Sequence, residues 1–193
     1  MKNTITIITA LLFAALIVYA ADVVVYPRTT GTPYSCPLPK SGSTNSYAAE
    51  DDGALQKGIA WPVPRFTVQT NTNCVLDNLT GLIWARNANQ FGAVSWGAAV
   101  TNCNTLDYGD QTDWRLPNLS ELRSLIDTSQ NTLALPVGHP FSITSAIGNV
   151  EYWSSMTASW ATSEAMKLRI FYGHLDAEAK TGLNYVWPVR GGY

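Results

Sequence analysis

Asp113-Trp-Arg-Leu-Pro-Asn-Leu-Ser-Glu-Leu-Arg-Ser-Leu-Ile126 carries the clearest local signal in the chain. Asn118 follows Pro117 and precedes Glu121 by three positions, the spacing of a helix N-cap with a capping-box partner. Leu119, Leu122, Leu125 and Ile126 recur at helical spacing and predict a buried stripe, with Glu121, Arg123 and Asp127 facing water. Asp113 to Leu116 reads as a strand or an extended lead-in. Upstream, Ser95 is placed to cap a second helix, whose apolar positions Trp96, Ala99, Val100, Cys103 and Leu106 share the same period.

Around these helices the pattern turns to short strands. Cys74-Val-Leu-Asp77 and Leu82-Ile-Trp-Ala85 flank a turn through Asn78-Leu-Thr-Gly81 and predict a hairpin. Residues 128–150, with Pro136, Gly138, Pro140 and Gly148, read as a long loop of the kind that is usually functional or disordered. Tyr152-Trp-Ser-Ser155 begins a strand-rich end. Met166, Leu168 and Ile170 then alternate with Lys167, Arg169 and Phe171 up to a turn at Tyr172-Gly173. Tyr185-Val-Trp-Pro-Val189 closes the series, and Pro188 confines that strand to an edge or a bulge. Residues 21–60, interrupted by Pro27, Pro33, Pro37 and Pro39, admit no long helix or central strand. Hairpin, two helices, long loop and antiparallel strands in this order predict an α+β domain.

Composition agrees with one domain. The chain has 193 residues, 46% apolar, 11% aromatic and 13% charged, enough to bury a substantial core. Twelve Lys and Arg stand against fourteen Asp and Glu, for a net charge of −2. No cations cluster in sequence, so the counterion release that drives nucleic-acid binding has no obvious source. Disorder and a long helical rod are excluded by the same numbers.

Residues 4–20, Thr-Ile-Thr-Ile-Ile-Thr-Ala-Leu-Leu-Phe-Ala-Ala-Leu-Ile-Val-Tyr-Ala after Lys2, fit a secretory signal cleaved after Ala20. The alternative is an uncleaved anchor, the one route by which a membrane is expected to hold this chain. The resulting division is a signal segment at 1–20, an extended arm at 21–37 and a domain at 38–193, secreted or displayed at the cell surface. In such an oxidising compartment the three cysteines matter. Three is odd, so at most one internal bridge forms, and Cys74–Cys103 is the expected pair. The alternative is that Cys36, Cys74 and Cys103 are buried or free thiols. No Cys-x-x-Cys occurs, and His139 and His174 lie far from any cysteine pair, so no metal is expected.

Asp77-Asn-Leu-Thr-Gly-Leu-Ile-Trp84, Asp113-Trp-Arg-Leu-Pro-Asn118 with Glu121-Leu122, Tyr152-Trp-Ser-Ser155 and Val189-Arg-Gly-Gly192 recur together in this order and spacing. With Gly58 to Phe66 and Gly138-His-Pro-Phe141, they make residues 38–192 resemble the Legionella collagen-like protein (Lcl) C-terminal domain family. The resemblance implies a C-type-lectin-like fold, two helices packed on short antiparallel sheets in a loop-rich domain. In that family the named adhesin binds sulfated glycosaminoglycans through a cationic surface of a trimer. This sequence has no Gly-X-Y repeat and is negatively charged. The Glu-Pro-Asn and Trp-Asn-Asp strings of calcium-dependent lectins do not occur. Nor does the copper-binding cysteine pair of the formylglycine-generating enzymes that share the fold.

Candidate residues divide accordingly. Trp84, Trp114, Trp153 and Trp187 sit in apolar strings and are expected in the core rather than as sugar platforms. Arg115 and Glu121 are expected to form a structural pair beside the helix N-terminus. His139 and His174 could titrate near neutrality, but no nucleophile, metal set or cofactor loop accompanies them, so neither an enzyme nor a cofactor is expected. Asp51-Asp52 reads as a solvated turn. The expected ligand surface is the long loop with an outward strand face carrying Lys167, Arg169, Phe171, Tyr172 and His174. Its partner would be an extracellular glycan or a surface protein. The competing role is a structural subunit of a surface oligomer or filament, built by self-association through aromatic patches and the proline-rich N-terminal arm.

Overall fold

The computed structural model describes residues 38–143 and 150–192. The expected signal segment, the arm with Cys36 and positions 144–149 of the long loop lie outside the described residues. Within them the chain forms α1 (Asp52–Leu55), β1 (Phe66–Val68), β2 (Cys74–Asp77), β3 (Ile83–Ala85), α2 (Trp96–Asn104), α3 (Leu119–Ser124), β4 (Glu151–Thr157), β5 (Glu164–Arg169), β6 (His174–Ala179) and β7 (Val189–Arg190). The fold is mixed α+β, as expected, with two antiparallel sheets ordered β1-β2-β3-β7 and β4-β5-β6.

The hairpin forms where the sequence places it, with Val75 opposite Trp84. β1 joins its free edge, pairing Phe66 with Asp77; three residues after a proline-rich run are too few to show alternation. The closing segment is a strand only at Val189 and Arg190, which pair with Trp84 and Ile83. Before that, Val186 and Trp187 are wholly buried. Tyr185 makes only an isolated bridge to Tyr152, because the segment drops into the core instead of running along a sheet. Pro188 still serves the ladder through its carbonyl, which accepts from the Ala85 N–H at 3.0 Å.

Trp84, Trp114, Trp153 and Trp187 are core, as their contexts predict. Trp187 meets Trp84, Phe141 and Tyr152 at ring separations of 5.5, 4.8 and 5.3 Å, and its indole N–H donates to the Ala85 carbonyl at 2.9 Å. Trp153 belongs to a second cluster with Ala99, Cys103, Leu116, Ala165 and Val186, which seats α2 on β4 and β5. The described parts of the long loop also reach inward. Ala134, Leu135, Phe141 and Val150 are buried, and the Ala134 N–H donates to the Ile170 carbonyl at 3.0 Å. At these positions the connection is packing material, while Val137 and Gly138 between them stay exposed.

α3 has both bonds of its capping box. The Asn118 side chain accepts from the Glu121 N–H at 2.9 Å and Glu121 accepts from the Asn118 N–H at 2.8 Å. Glu121 also holds Arg115 at 2.6 Å, and Arg115 reaches the Gly191 carbonyl at 2.9 Å. Burial alone would raise the Glu121 carboxyl, but Arg115 and the Asn118 N–H bring it below its ordinary range. Asp127 departs from expectation. It is buried rather than facing water, because its carboxylate accepts from the N–H and hydroxyl of Ser129 at 2.9 and 2.7 Å, starting the loop's first turn. Ser95 occupies the N-cap of α2 without a side-chain cap bond.

The expected Cys74–Cys103 bridge is not formed: both are free, buried thiols. Cys74 lies in the cluster around Trp84, with its sulfur beside the Gly109 carbonyl at 4.0 Å. Cys103 faces the cluster around Trp153. Each sulfur packs into a different hydrophobic cluster. Burial raises both thiols, Cys103 to about 12.

Candidate functional site

Ion pairing among the described cations isolates one place in the molecule. Arg65 pairs with Asp77, Arg115 with Glu121, Lys167 and Arg169 with Glu151, and Arg190 with Asp113. Arg86 donates to the carbonyls of Pro140 and Thr72, and Lys180 to the Thr157 hydroxyl. Lys40, Lys57 and Arg123 complete the described Lys and Arg, and none of the three has a side-chain hydrogen bond or ion pair among the described residues. All three line one groove of about 520 Å³, together with Trp61, Tyr172 and a single carboxylate, Asp52. That size lies within the range of small-ligand sites.

Three elements build the groove, and each is locally determined. The first is residues 38–61. Gly58, at φ +115°, lets the chain pass so close to residues 38–40 that a β-carbon there would fall 2.7 Å from the Leu38 carbonyl oxygen. Pairing across this contact is tight: the Lys40 N–H donates to the Ile59 carbonyl at 3.0 Å and the Ile59 N–H to that of Leu38 at 2.8 Å. Lys40 and Lys57 are thereby brought together. Trp61 closes the segment, its indole N–H on the Lys40 carbonyl at 2.9 Å. α1 sits inside it, capped by Asp51, whose carboxylate accepts from the N–H groups of Tyr47, Ala54 and Ala48 at 2.6, 2.8 and 3.1 Å. Those donors lower the Asp51 carboxyl to about 2. Asp52 accepts a hydrogen bond from the Ser41 hydroxyl.

The second element is α3, which presents Arg123 from its solvent side, where the helical period predicts it. The Thr128 N–H donates to the Ser41 carbonyl at 3.1 Å and ties the end of α3 to the 38–61 segment. Arg65 braces the join. Its guanidinium holds Asp77 of β2 at 2.8 and 3.0 Å, donates to the Ser124 carbonyl at 2.8 Å and lies 4.8 Å from the Trp61 ring.

The third element is the β5–β6 turn, where Tyr172 and Gly173 have φ of +66° and +64°. Tyr172 is 67% exposed, and Phe171 meets its ring edge-on at 4.4 Å.

The residues expected to form the ligand surface therefore separate. Lys167 is buried, not outward-facing. It is held by Glu151 at 2.5 Å and Glu178 at 2.7 Å. Burial would lower its ammonium, but the two carboxylates raise it above its ordinary value. Arg169 meets the same Glu151 at 2.6 Å. Their charge is spent inside the sheet. Tyr172 reaches the groove, Phe171 supports it, and His174 is exposed at the start of β6. Of the groove's cations, Arg123 was legible as a solvent-facing helix position. Lys40 and Lys57 sit in irregular sequence, and only the Gly58 contact unites them.

His139 is half-buried and stacked on Phe141 at 5.9 Å, and burial depresses its imidazole. Among the described residues, no three His, Cys, Asp or Glu side chains are grouped to hold a metal ion. No described helix is long and apolar enough to cross a membrane.

Residues 73–190 match the family model of the Lcl C-terminal domain. The match contains Arg123 and Tyr172, whereas Lys40, Lys57 and Trp61 precede it. No curated protein matches the chain.

Proposed function

We propose that this chain, which belongs to the Lcl C-terminal domain family, is a secreted or surface-displayed binding module that holds an extracellular glycan in the groove of Lys40, Lys57 and Arg123. One observation carries the reading: the described cations without partners converge on one concave surface, in a chain whose net charge is negative. Unpaired ammonium and guanidinium groups form charge-assisted hydrogen bonds to carboxylate or sulfate oxygens. With Asp52 as the sole opposing carboxylate in the lining, the groove favours anionic ligands and disfavours cationic ones. Trp61 and Tyr172 offer aromatic surface for sugar rings. No chemistry on the ligand is part of the proposal.

Heparin-agarose chromatography of the exported protein tests it. Retention at low salt, falling as salt screens the exposed charges, and lost in the Lys40→Ala/Lys57→Ala/Arg123→Ala variant, is the expected result. Equal elution of the two proteins would contradict the assignment.

A separate observation favours self-association as a second reading. Met156 and Trp160 near the β4–β5 connection, and Leu183 beyond β6, are 48%, 69% and 66% exposed. The Lys180 N–H ties the end of β6 to that connection through the Ser163 carbonyl at 2.9 Å. A contiguous apolar patch would mark a contact site. Sedimentation showing an oligomer that Trp160→Ser dissolves would support this reading, and a monomer at high concentration would remove it.

A further inference from the structure

Tyr172 is a bulky residue in a conformation that favours glycine and asparagine. At φ +66° its β-carbon crowds the backbone, and a large side chain in the left-handed region is a true outlier that persists only when its surroundings enforce it. Here they do. The next residue, Gly173, is docked on the C-terminal end of α3, where a β-carbon would fall 2.6 Å from Ile126 Cγ2. Phe171 braces the Tyr172 ring edge-on from the other side. Yet Tyr172 is 67% exposed and lines the cationic groove, so burial of the residue does not account for the strain. Asparagine would make the same turn at lower cost.

We infer that Tyr172 is the specificity-determining residue of the groove, a rigid aromatic wall opposite the 38–61 segment. It selects ligands that present a ring face beside their anionic group, acidic saccharides rather than simple anions. This rests on the binding role proposed above and assigns it a chemistry. Cations alone would take inorganic sulfate or a flexible polyanion equally well. An aromatic wall adds selectivity only for a ligand with an apolar ring face to stack on it.

The experiment compares wild type with Tyr172→Asn, Tyr172→Phe and Lys57→Ala/Arg123→Ala, reading melting temperature and affinity for a heparin hexasaccharide and for linear polyphosphate. Relief of the left-handed strain should raise the melting temperature of Tyr172→Asn by about 2–4 °C. Its hexasaccharide affinity should fall roughly tenfold with polyphosphate affinity unchanged, and Tyr172→Phe, which keeps the ring, should bind the hexasaccharide like wild type. Opposite signs on stability and binding in one variant are what a merely structural tyrosine does not produce. Unchanged hexasaccharide binding by Tyr172→Asn, while Lys57→Ala/Arg123→Ala loses both ligands, overturns this inference and leaves the groove's binding role standing. Failure of wild type to bind either ligand overturns both.

Discussion

Gly173 lies against Ile126 so closely that a β-carbon on it would come within 2.6 Å of Ile126 Cγ2. This contact joins the β5–β6 turn to the end of α3, and so fixes Tyr172 relative to Arg123. Gly173→Ala meets both the clash and the φ of +64°. The variant should lose about 1–3 kcal/mol of stability and bind heparin more weakly. A thermal melt with parallel chromatography checks both effects; a wild-type melting temperature would show that the turn is not docked as described.

Lys167 distinguishes the surface expected from the sequence from the groove that the fold builds. Because Glu151 and Glu178 neutralise it, Lys167→Met should lower thermal stability yet leave heparin elution where wild type has it. An elution shift as large as that of Arg123→Ala would return the site to the strand face.

Asp51 gives a prediction in pH. Backbone donors, Tyr47 first, hold its folded carboxyl at about 2 against an ordinary 3.8. Between those values the unfolded chain binds the proton more readily, so stability rises with pH across the window. This contribution is complete above the ordinary value and is lost as pH falls towards 2. The Asp51 carboxyl carbon, followed by NMR, should titrate with a midpoint near 2. A midpoint near 4 would mean that the cap of α1, and with it the placement of Asp52 and Lys57, is not as described.

What the sequence made legible is what local chemistry decides. Asn118 and Glu121 announce α3 because both halves of a capping box lie three residues apart, and the four core tryptophans declare themselves by their apolar strings. Lys167 misled because strand alternation says which face a residue takes, not what covers that face; Glu178, eleven positions on, is brought to it by the register of β5 and β6. Cys74 and Cys103 misled for a related reason, since helix and strand patterns show that both are inward but not that they enter different clusters. The groove was the least legible feature. Lys40, Lys57, Arg123 and Tyr172 span more than a hundred positions, and two backbone approaches, at Gly58 and Gly173, assemble them.

The thiols provide a check on the packing itself. With Cys74 and Cys103 free in separate clusters, alkylation of the denatured, unreduced protein should label both, while the native protein should react at neither on the same timescale. Burial of both sulfurs, with Cys103 raised to about 12, keeps the reactive thiolate scarce. A peptide pair joined through these two cysteines would refute the arrangement of the core.

Backbone amide mapping by NMR during titration with a heparin hexasaccharide tests the binding account most directly. The largest shifts should fall on Lys40, Lys57, Arg123 and Tyr172, with Lys167 and Arg169 undisturbed. Shifts centred on β5, or on Met156, Trp160 and Leu183, would contradict it.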